Sequence, residues 1–117
     1  MTQQVRRVMP VLTVADLSVA GAYTQTLGLT EVMNHGWIVT LADAELRHQV
    51  SLMTKDATAA VNPSVSIEVD DVDAAYAEAV EAGLEIVHPL SDEDWGVRRF
   101  FFADRSGNVV NVLSHRA

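Results

Sequence analysis

The sequence predicts an α+β fold in which two tandem βαβββ modules form a curved mixed sheet around a cleft. The main observation is an internal repeat, because the segment from Met9 to Val32 matches the segment from Ser64 to Val87 at a constant shift of 55 residues without gaps. The identical pairs include Val14 and Val69, Asp16 and Asp71, Ala20 and Ala75, Gly28 and Gly83, and Leu29 and Leu84. Each copy has the pattern of a strand, an Asp turn, a helix that ends at Gly, and a second strand. We therefore predict one 117-residue domain, with modules at about residues 5–54 and 63–115, a linker at about 55–62, and a ligand site between the halves.

The first module begins with a mostly apolar strand from Val8 to Val14, followed by Asp16, whose carboxylate can cap the N-terminus of a helix. Leu17, Ala20, Thr24 and Leu27 recur at helical spacing, and Gly28 supplies the left-handed residue that ends the helix. Three further strands are predicted at Leu29–Asn34, Trp37–Ala42 and Arg47–Met53. The segment from Lys55 to Pro63 has no apolar periodicity and is predicted to be the linker.

The second module repeats this order, with a strand from Ser64 to Val69, a helix capped by Asp71 and a helix end at Gly83. The remaining predicted elements are a strand at Leu84–His88, an acidic loop at Pro89–Trp95, a strand at Gly96–Ala103, a turn, and a last strand at Asn108–Ser114.

Composition limits the classes of function. The chain has no cysteine, which excludes disulfides and thiolate metal ligands. A formal net charge of −8 argues against nucleic acids and anionic membranes as partners and mildly favours cationic ligands. The apolar stretch from Val8 to Val14 is too short for a signal peptide or a membrane span, so we expect a cytoplasmic protein.

The ordered motifs of both halves resemble those of one known group, the vicinal oxygen chelate superfamily. This superfamily contains glyoxalase I, extradiol dioxygenases, fosfomycin-resistance enzymes and bleomycin-resistance proteins. The resemblance extends over nearly the whole chain, although Arg105 stands where the family often has proline. The motifs that carry it are Val14-x-Asp16-Leu17, Ala20-x-x-Tyr23, Leu27-Gly28-Leu29, Glu68-Val69-Asp70-Asp71-Val72-Asp73, Ala82-Gly83, and Trp95-Gly96-Val97-Arg98 leading to Asp104-x-x-Gly107-Asn108.

The resemblance implies a divalent metal held by strand residues that face the cleft, at positions occupied here by Met9, Ser51, Ser64 and Asn111. Many relatives have histidine at the positions of Met9 and Ser64 and glutamate at that of Asn111. A thioether, two hydroxyls and an amide carry no negative charge to offset a dication, so we expect no metal and no other cofactor. Without a metal, the chain resembles most closely in character the metal-free bleomycin-resistance branch of the superfamily.

Other chemistry-bearing residues point to no catalytic group. The four histidines, His35, His48, His88 and His115, lack the spacing of a ligand pair and are expected at surfaces or strand edges, with His48 in the fourth strand and pointing away from the cleft. Glu68 would be a general base if it were buried facing the cleft, and otherwise a solvated carboxylate at a strand end.

The remaining features suggest binding. Trp37 and Trp95 offer flat apolar faces for a planar ligand, with core packing as the alternative for Trp37. Arg98 and Arg99 alternate on one strand, so one of them faces inward, and the acidic run Ser91–Asp94 would attract a cation to the cleft or would be only a solvated loop. Met33 suits an apolar lining or ordinary core packing. The predicted ligand-binding residues are Met9, Trp37, Ser51, Met53, Ser64, Trp95, Arg98 and Asn111.

These observations predict a metal-independent protein that sequesters a small molecule, such as an antibiotic or a planar or cationic metabolite. The alternatives are a metal-dependent lyase or dioxygenase of the same superfamily with atypical ligands, and an accessory domain that binds a partner protein. Family members commonly pair as two-fold dimers, and such homodimers are the commonest soluble assembly, so we expect a homodimer.

Overall fold

The computed structural model describes residues 4–116 and confirms the predicted mixed α+β class, with the order βαβββ in each half. The chain divides into two compact units. We call Met9–Asn62 the N-terminal module, and residues 4–8 together with 63–116 the C-terminal module. The first strand, β1 (Val5–Thr13), therefore contributes its first residues to the C-terminal module and the rest to the N-terminal module.

The N-terminal module continues from β1 through a 3₁₀ turn, helix α1 and three strands. These elements are the turn at Leu17–Val19, α1 at Ala20–Leu27, β2 at Thr30–Asn34, β3 at Ile38–Ala42 and β4 at Gln49–Met53. The strand order is β2-β3-β4-β1, with β1 and β4 parallel and the other pairs antiparallel. The outermost strand, β2, has an irregular register between Glu31 and Met33.

Several predicted boundaries of this module differ from the structure: β1 begins at Val5 rather than Val8, β2 and β3 each begin one residue later than predicted, and two further differences have a local cause. The helix was expected from Leu17, but Asp16 accepts a hydrogen bond from Ser18 N at 2.8 Å, and the first residues form a tighter 3₁₀ turn before α1. The fourth strand was expected from Arg47, yet Asp43 accepts a hydrogen bond from His48 N at 3.0 Å and extends the preceding turn. His48 is therefore exposed in that turn, and its predicted place in the fourth strand is wrong.

The C-terminal module contains β5 (Val65–Val69), α2 (Val72–Glu81), β6 (Glu85–Asp92), β7 (Val97–Ala103) and β8 (Val109–His115). Its strand order is β5-β8-β7-β6. Asp71 caps α2 by accepting a hydrogen bond from Ala74 N at 3.0 Å, as its position in the sequence predicts.

The predicted acidic loop from Pro89 is wrong in its start, because β6 continues to Asp92. The strand is the outermost of the module's sheet, and its register against β7 is irregular both between Ile86 and His88 and between His88 and Ser91. Such irregular edge positions accommodate proline, which has no N–H group for the ladder, and Pro89 lies within this stretch.

Each module packs its helix against one face of its own strands. In the N-terminal module Val39, Leu41 and Leu52 form the core beneath α1. In the C-terminal module Phe100, Val110 and Val112 lie beneath α2, where the Tyr76 and Phe100 rings meet edge to face at 5.0 Å. Since side chains alternate between the faces of a strand, the residues between these core positions lie on the face opposite the helix, which we call the helix-free face. No helix in the described residues is long and apolar enough to cross a membrane.

Candidate functional site

One row of side chains crosses all four strands of the C-terminal module on its helix-free face. The strand registers pair His88 with Phe101, Phe101 with Asn111, and Asn111 with Ser66. All four residues are buried. The row thus places one aromatic ring between a histidine on one side and a polar amide–hydroxyl pair on the other.

Asn111 is the least satisfied polar residue of this row. Its Nδ2 donates a hydrogen bond to Ser66 Oγ at 2.9 Å. Its Oδ1 is sealed from solvent and has no hydrogen-bond partner among residues 4–116. A buried carbonyl oxygen without a donor costs about 1–3 kcal/mol, so an oxygen of this kind points to a missing partner.

A carboxylate shared by two basic side chains lies beside the row. Glu93 Oε2 accepts a hydrogen bond from Arg99 Nε at 2.7 Å and lies 3.0 Å from His88 Nε2. The Arg99 guanidinium carbon lies 4.9 Å from the centroid of the Trp95 ring and 4.8 Å from that of Phe101. Arg99 and Glu93 are both buried, and the guanidinium charge is compensated by the carboxylate and both aromatic rings.

His88 is oriented by its environment on both sides. Its ring lies 5.0 Å from Phe101, and the register irregularities on either side of it allow the side chain to point to the helix-free face. A carboxylate can only accept, so when the imidazole is neutral the proton lies on Nε2, toward Glu93. The Nδ1 atom is then an acceptor, and it forms no hydrogen bond with the described residues.

Glu68 also lies on the helix-free face, but it is an ion-pair partner. Its carboxylate accepts hydrogen bonds from Arg7 Nε at 2.8 Å and His115 Nδ1 at 3.0 Å. Burial raises the pKa of Glu68, but the hydrogen bond from His115 and the charge of Arg7 outweigh that effect and hold it below its ordinary value. A carboxylate stabilised as the anion is a weak base, so the arrangement favours a structural role.

The N-terminal module has a comparable polar pair on its helix-free face. Thr40 Oγ1 and Ser51 Oγ lie 2.8 Å apart, both buried, and Met53 follows on the same face of β4. In contrast to Asn111, neither of these oxygens is left without a partner. Trp37 is half-buried in the bend immediately before β3, and its ring stacks with that of His35 at 6.4 Å between centroids.

The strand registers also place the four predicted metal positions. Ser51 on β4 is the register partner of Val11, which lies two residues after Met9. Asn111 on β8 is the register partner of Ser66, which lies two residues after Ser64. Met9 is buried in β1, whereas Ser64 is exposed and precedes β5. The structure therefore brings Asn111 together with Ser66 rather than with Ser64.

Arg98 lies on the side of helix α2. It donates hydrogen bonds to Asp73 at 2.9 Å and to Asp92 at 3.1 Å, and these bonds raise the pKa of Arg98. The hydrogen bond from Arg98 also lowers the pKa of Asp73. Of the two adjacent arginines, Arg99 is the buried one that reaches the helix-free face.

Sequence reasoning missed Ser66, Glu93 and His88 as members of this cluster. His88 was expected at a surface or strand edge; it does lie on the outermost strand, β6, but it is buried there, with 9% of it exposed. His35, His48 and His115 are exposed as predicted. The sequence indicated this cluster only through the alternation of Arg98 and Arg99, which predicts that one of them faces inward. The contacts of Glu93 depend on how the loop after β6 folds back, and the sequence does not indicate this.

The donors at the implied metal positions do not fit a divalent cation. They are neutral, Ser51 Oγ is bound to Thr40, and the amide nitrogen of Asn111 is bound to Ser66. In residues 4–116 there is no group of three or more His, Cys, Asp or Glu side chains that could hold a metal ion. The site is suited to neutral hydrogen bonding rather than to Lewis-acid chemistry.

Comparisons with known proteins identify the fold. A family model described as the Glyoxalase/Bleomycin resistance protein/Dioxygenase superfamily matches residues 10–112. A superfamily member from Vibrio splendidus is similar in structure, with a TM-score of 0.70 at 18% identity over 95% of this chain and 99% of that chain. A protein described as an NAD-dependent benzaldehyde dehydrogenase from Legionella pneumophila has a TM-score of 0.75 at 13% identity, covering 94% and 100% of the two chains.

A third similar structure is longer than this chain. It is the Mn(II)-bound glyoxalase from Novosphingobium aromaticivorans, with a TM-score of 0.62 at 22% identity over 94% of this chain and 38% of that chain. At these identities the structural likeness shows the fold alone. No curated protein sequence matches the chain.

Proposed function

This chain belongs to the Glyoxalase/Bleomycin resistance protein/Dioxygenase superfamily, and we propose that it binds a small organic molecule without using a divalent metal. In this proposal the protein acts by sequestration, and the bound molecule is a planar antibiotic or metabolite. No bond of the ligand has to be broken.

The observation that carries the proposal is the polar pair formed by Asn111 and Ser66. A neutral amide and a hydroxyl stand side by side in the buried row, and the amide oxygen has no partner in the described residues. Such a pair is a poor ligand set for zinc, iron or manganese, because it offers no anionic or imidazole donor. It is, however, well suited to fix the orientation of a polar organic group.

The charges of the acidic loop favour an uncharged ligand over a cation. Asp92 is paired with Arg98, and Glu93 with Arg99 and His88. These pairs largely neutralise the negative electrostatic potential of the loop at short range. The attraction of cations that its acidic composition suggests is therefore weakened.

The test combines metal analysis with ligand-dependent melting. The protein is purified from medium supplemented with zinc, manganese and iron, its metal content is measured, and its Tm is recorded with EDTA and with a set of uncharged planar compounds that do not chelate metals. We expect substoichiometric metal, a Tm that EDTA does not change, and a higher Tm with at least one planar compound. A ligand at a hundredfold excess over its Kd would stabilise the protein by about 2.7 kcal/mol.

Stoichiometric metal with a Tm that falls in EDTA would overturn the proposal and favour the alternative, a metal-dependent lyase or dioxygenase with atypical ligands. A partner protein that co-purifies would favour an accessory domain instead.

We also propose that the protein is a homodimer, since closed two-fold pairs are the commonest assembly of soluble proteins. Light scattering coupled to size-exclusion chromatography tests this directly, and a mass of one chain at micromolar concentration would contradict it.

A further inference from the structure

We propose that Asn111 Oδ1 and His88 Nδ1 are two hydrogen-bond acceptors for the ligand, and that the ligand is therefore a neutral molecule with N–H or O–H donors, such as an amide, lactam or phenol. The inference rests on the proposed function and specifies the chemistry of its ligand. Both atoms belong to the row that crosses the C-terminal module.

The argument for Asn111 starts from its burial. Only 8% of the residue is exposed, Oδ1 itself is sealed from solvent, and no described residue donates to it. A ligand therefore reaches Oδ1 only by displacing the side chains that cover it. The other end of the amide is held by Ser66 at 2.9 Å, which fixes the orientation of the side chain. An N–H or O–H group of a ligand would satisfy this oxygen, whereas a carboxylate or phosphate would place a second acceptor against it.

The argument for His88 depends on Glu93. The carboxylate lies 3.0 Å from Nε2 and assigns the proton of the neutral imidazole to that nitrogen, which leaves Nδ1 with a lone pair. Glu93 is itself held by Arg99 at 2.7 Å, so the imidazole is bound to a partner that is already fixed. The result is an acceptor whose direction is set before any ligand arrives.

The two acceptors lie on the same face and are separated by one strand. His88, Phe101 and Asn111 are consecutive register partners on β6, β7 and β8. Because adjacent strands are about 4.8 Å apart, the two backbone positions are roughly 10 Å apart. The charges of Arg99 and Glu93 beside them cancel, so this ion pair adds no net charge to the row.

Three probes of one shape test the proposal on the whole chain. Benzamide has N–H donors, acetophenone keeps the ring and carbonyl at nearly the same shape without donors, and benzoate replaces the amide by an anion. Binding is followed by ¹H–¹⁵N spectra of the Asn side-chain amides and by long-range ¹H–¹⁵N spectra of the histidine rings. The Asn111 signal is assigned by its loss in N111L, and the His88 signal by its loss in H88Q.

Because the two backbone positions are roughly 10 Å apart, one benzamide amide group reaches one acceptor at a time. We therefore expect benzamide to shift the Asn111 and His88 signals as separate binding events, each at least about tenfold tighter than with the other two probes, because the site leaves its acceptors unpaired when the donor is missing. The free protein should show His88 as the Nε2–H tautomer. N111L and H88Q should each reduce benzamide affinity, whereas H48Q, which replaces an exposed histidine, should not. Folding of each variant is checked by its backbone amide spectrum.

Equal binding of the three probes at these residues would overturn the donor preference and leave the proposed function intact. Absence of any benzamide effect at Asn111 and His88 up to tens of millimolar would likewise overturn the inference. So would a proton on His88 Nδ1 in the free protein, in either the Nδ1–H tautomer or the imidazolium. Stoichiometric metal in the purified protein would instead overturn the proposed function. Failure of the donor preference and failure of the proposed function are therefore distinguishable.

Discussion

Replacing the polar pair Ser66 and Asn111 by apolar side chains of similar size should stabilise the ligand-free protein. In the double variant S66A/N111L the unpartnered Oδ1 disappears, which removes a cost of about 1–3 kcal/mol. The hydrogen bond of 2.9 Å between the two side chains is lost as well, and this costs about 0.5–1.5 kcal/mol. The net expectation is a gain of about 1 kcal/mol in the free energy of unfolding.

The measurement is urea unfolding in the absence of ligand, with the Tm as a second readout. A gain of 1 kcal/mol corresponds to a Tm increase of roughly 4 °C in a domain of this size. The matched control is T40V/S51A, which removes the polar pair of the N-terminal module, where both oxygens are partnered at 2.8 Å. Loss of a satisfied pair to apolar side chains of similar shape should be nearly neutral.

A destabilisation of S66A/N111L by more than about 1 kcal/mol would refute the reasoning, because it would mean that Oδ1 is satisfied in the free protein. A gain in T40V/S51A as large as that in S66A/N111L would refute it as well, since the gain would then come from apolar substitution in general. Stabilisation confined to S66A/N111L, together with lost probe binding, would identify Asn111 as a residue whose polarity serves function at the cost of stability.

Three further predictions concern the surrounding structure. R99M alone should lower the free energy of unfolding by about 3–5 kcal/mol, because it leaves the Glu93 carboxylate buried without its guanidinium partner. The double variant E93Q/R99M should recover part of this loss. Equal losses for both variants in urea unfolding would contradict the ion-pair argument. The pKa of Glu68 is lower in the folded chain than its unfolded value of 4.5, so its stabilising contribution is present above pH 4.5 and is lost as the pH falls through the folded pKa. E68Q should therefore flatten the decline of stability between pH 5 and 3, and an unchanged slope in acid titrations of unfolding would argue against this. G83A should lower the free energy of unfolding by about 1 kcal/mol, because the backbone at Gly83 has φ +74°, which strains a residue with a Cβ. Steric contact is not the cause, since no atom lies within 4 Å of the added Cβ. No change in thermal unfolding would show that the helix end adjusts.

The order of helices and strands could be predicted from the internal repeat because its signals are local. Asp71 caps its helix through a backbone N–H three residues away, and Gly83 has the positive φ that its position after the helix suggests. Such features depend on neighbours in the sequence, and the repeated pattern supports each of them twice.

The composition of the candidate site depended on contacts between distant parts of the chain. The alternation of Arg98 and Arg99 indicated that one of them is inward, but the choice depends on Glu93, whose loop folds back against β7. The burial of His88 follows from register irregularities in β6 that alternation alone does not reveal. A shift of two residues in a strand keeps the same face, so pairing Asn111 with Ser64 or with Ser66 was equally compatible with the pattern.

The outermost strands of both modules share a property that affects how copies of the chain can associate. β2 is irregular between Glu31 and Met33, and β6 is irregular on both sides of His88 and contains Pro89. Interrupted borders of this kind are poor templates for a strand from another molecule. Open-ended growth by strand addition, the route to fibres, is therefore disfavoured at these two borders, and a second copy would have to attach through side-chain surfaces elsewhere.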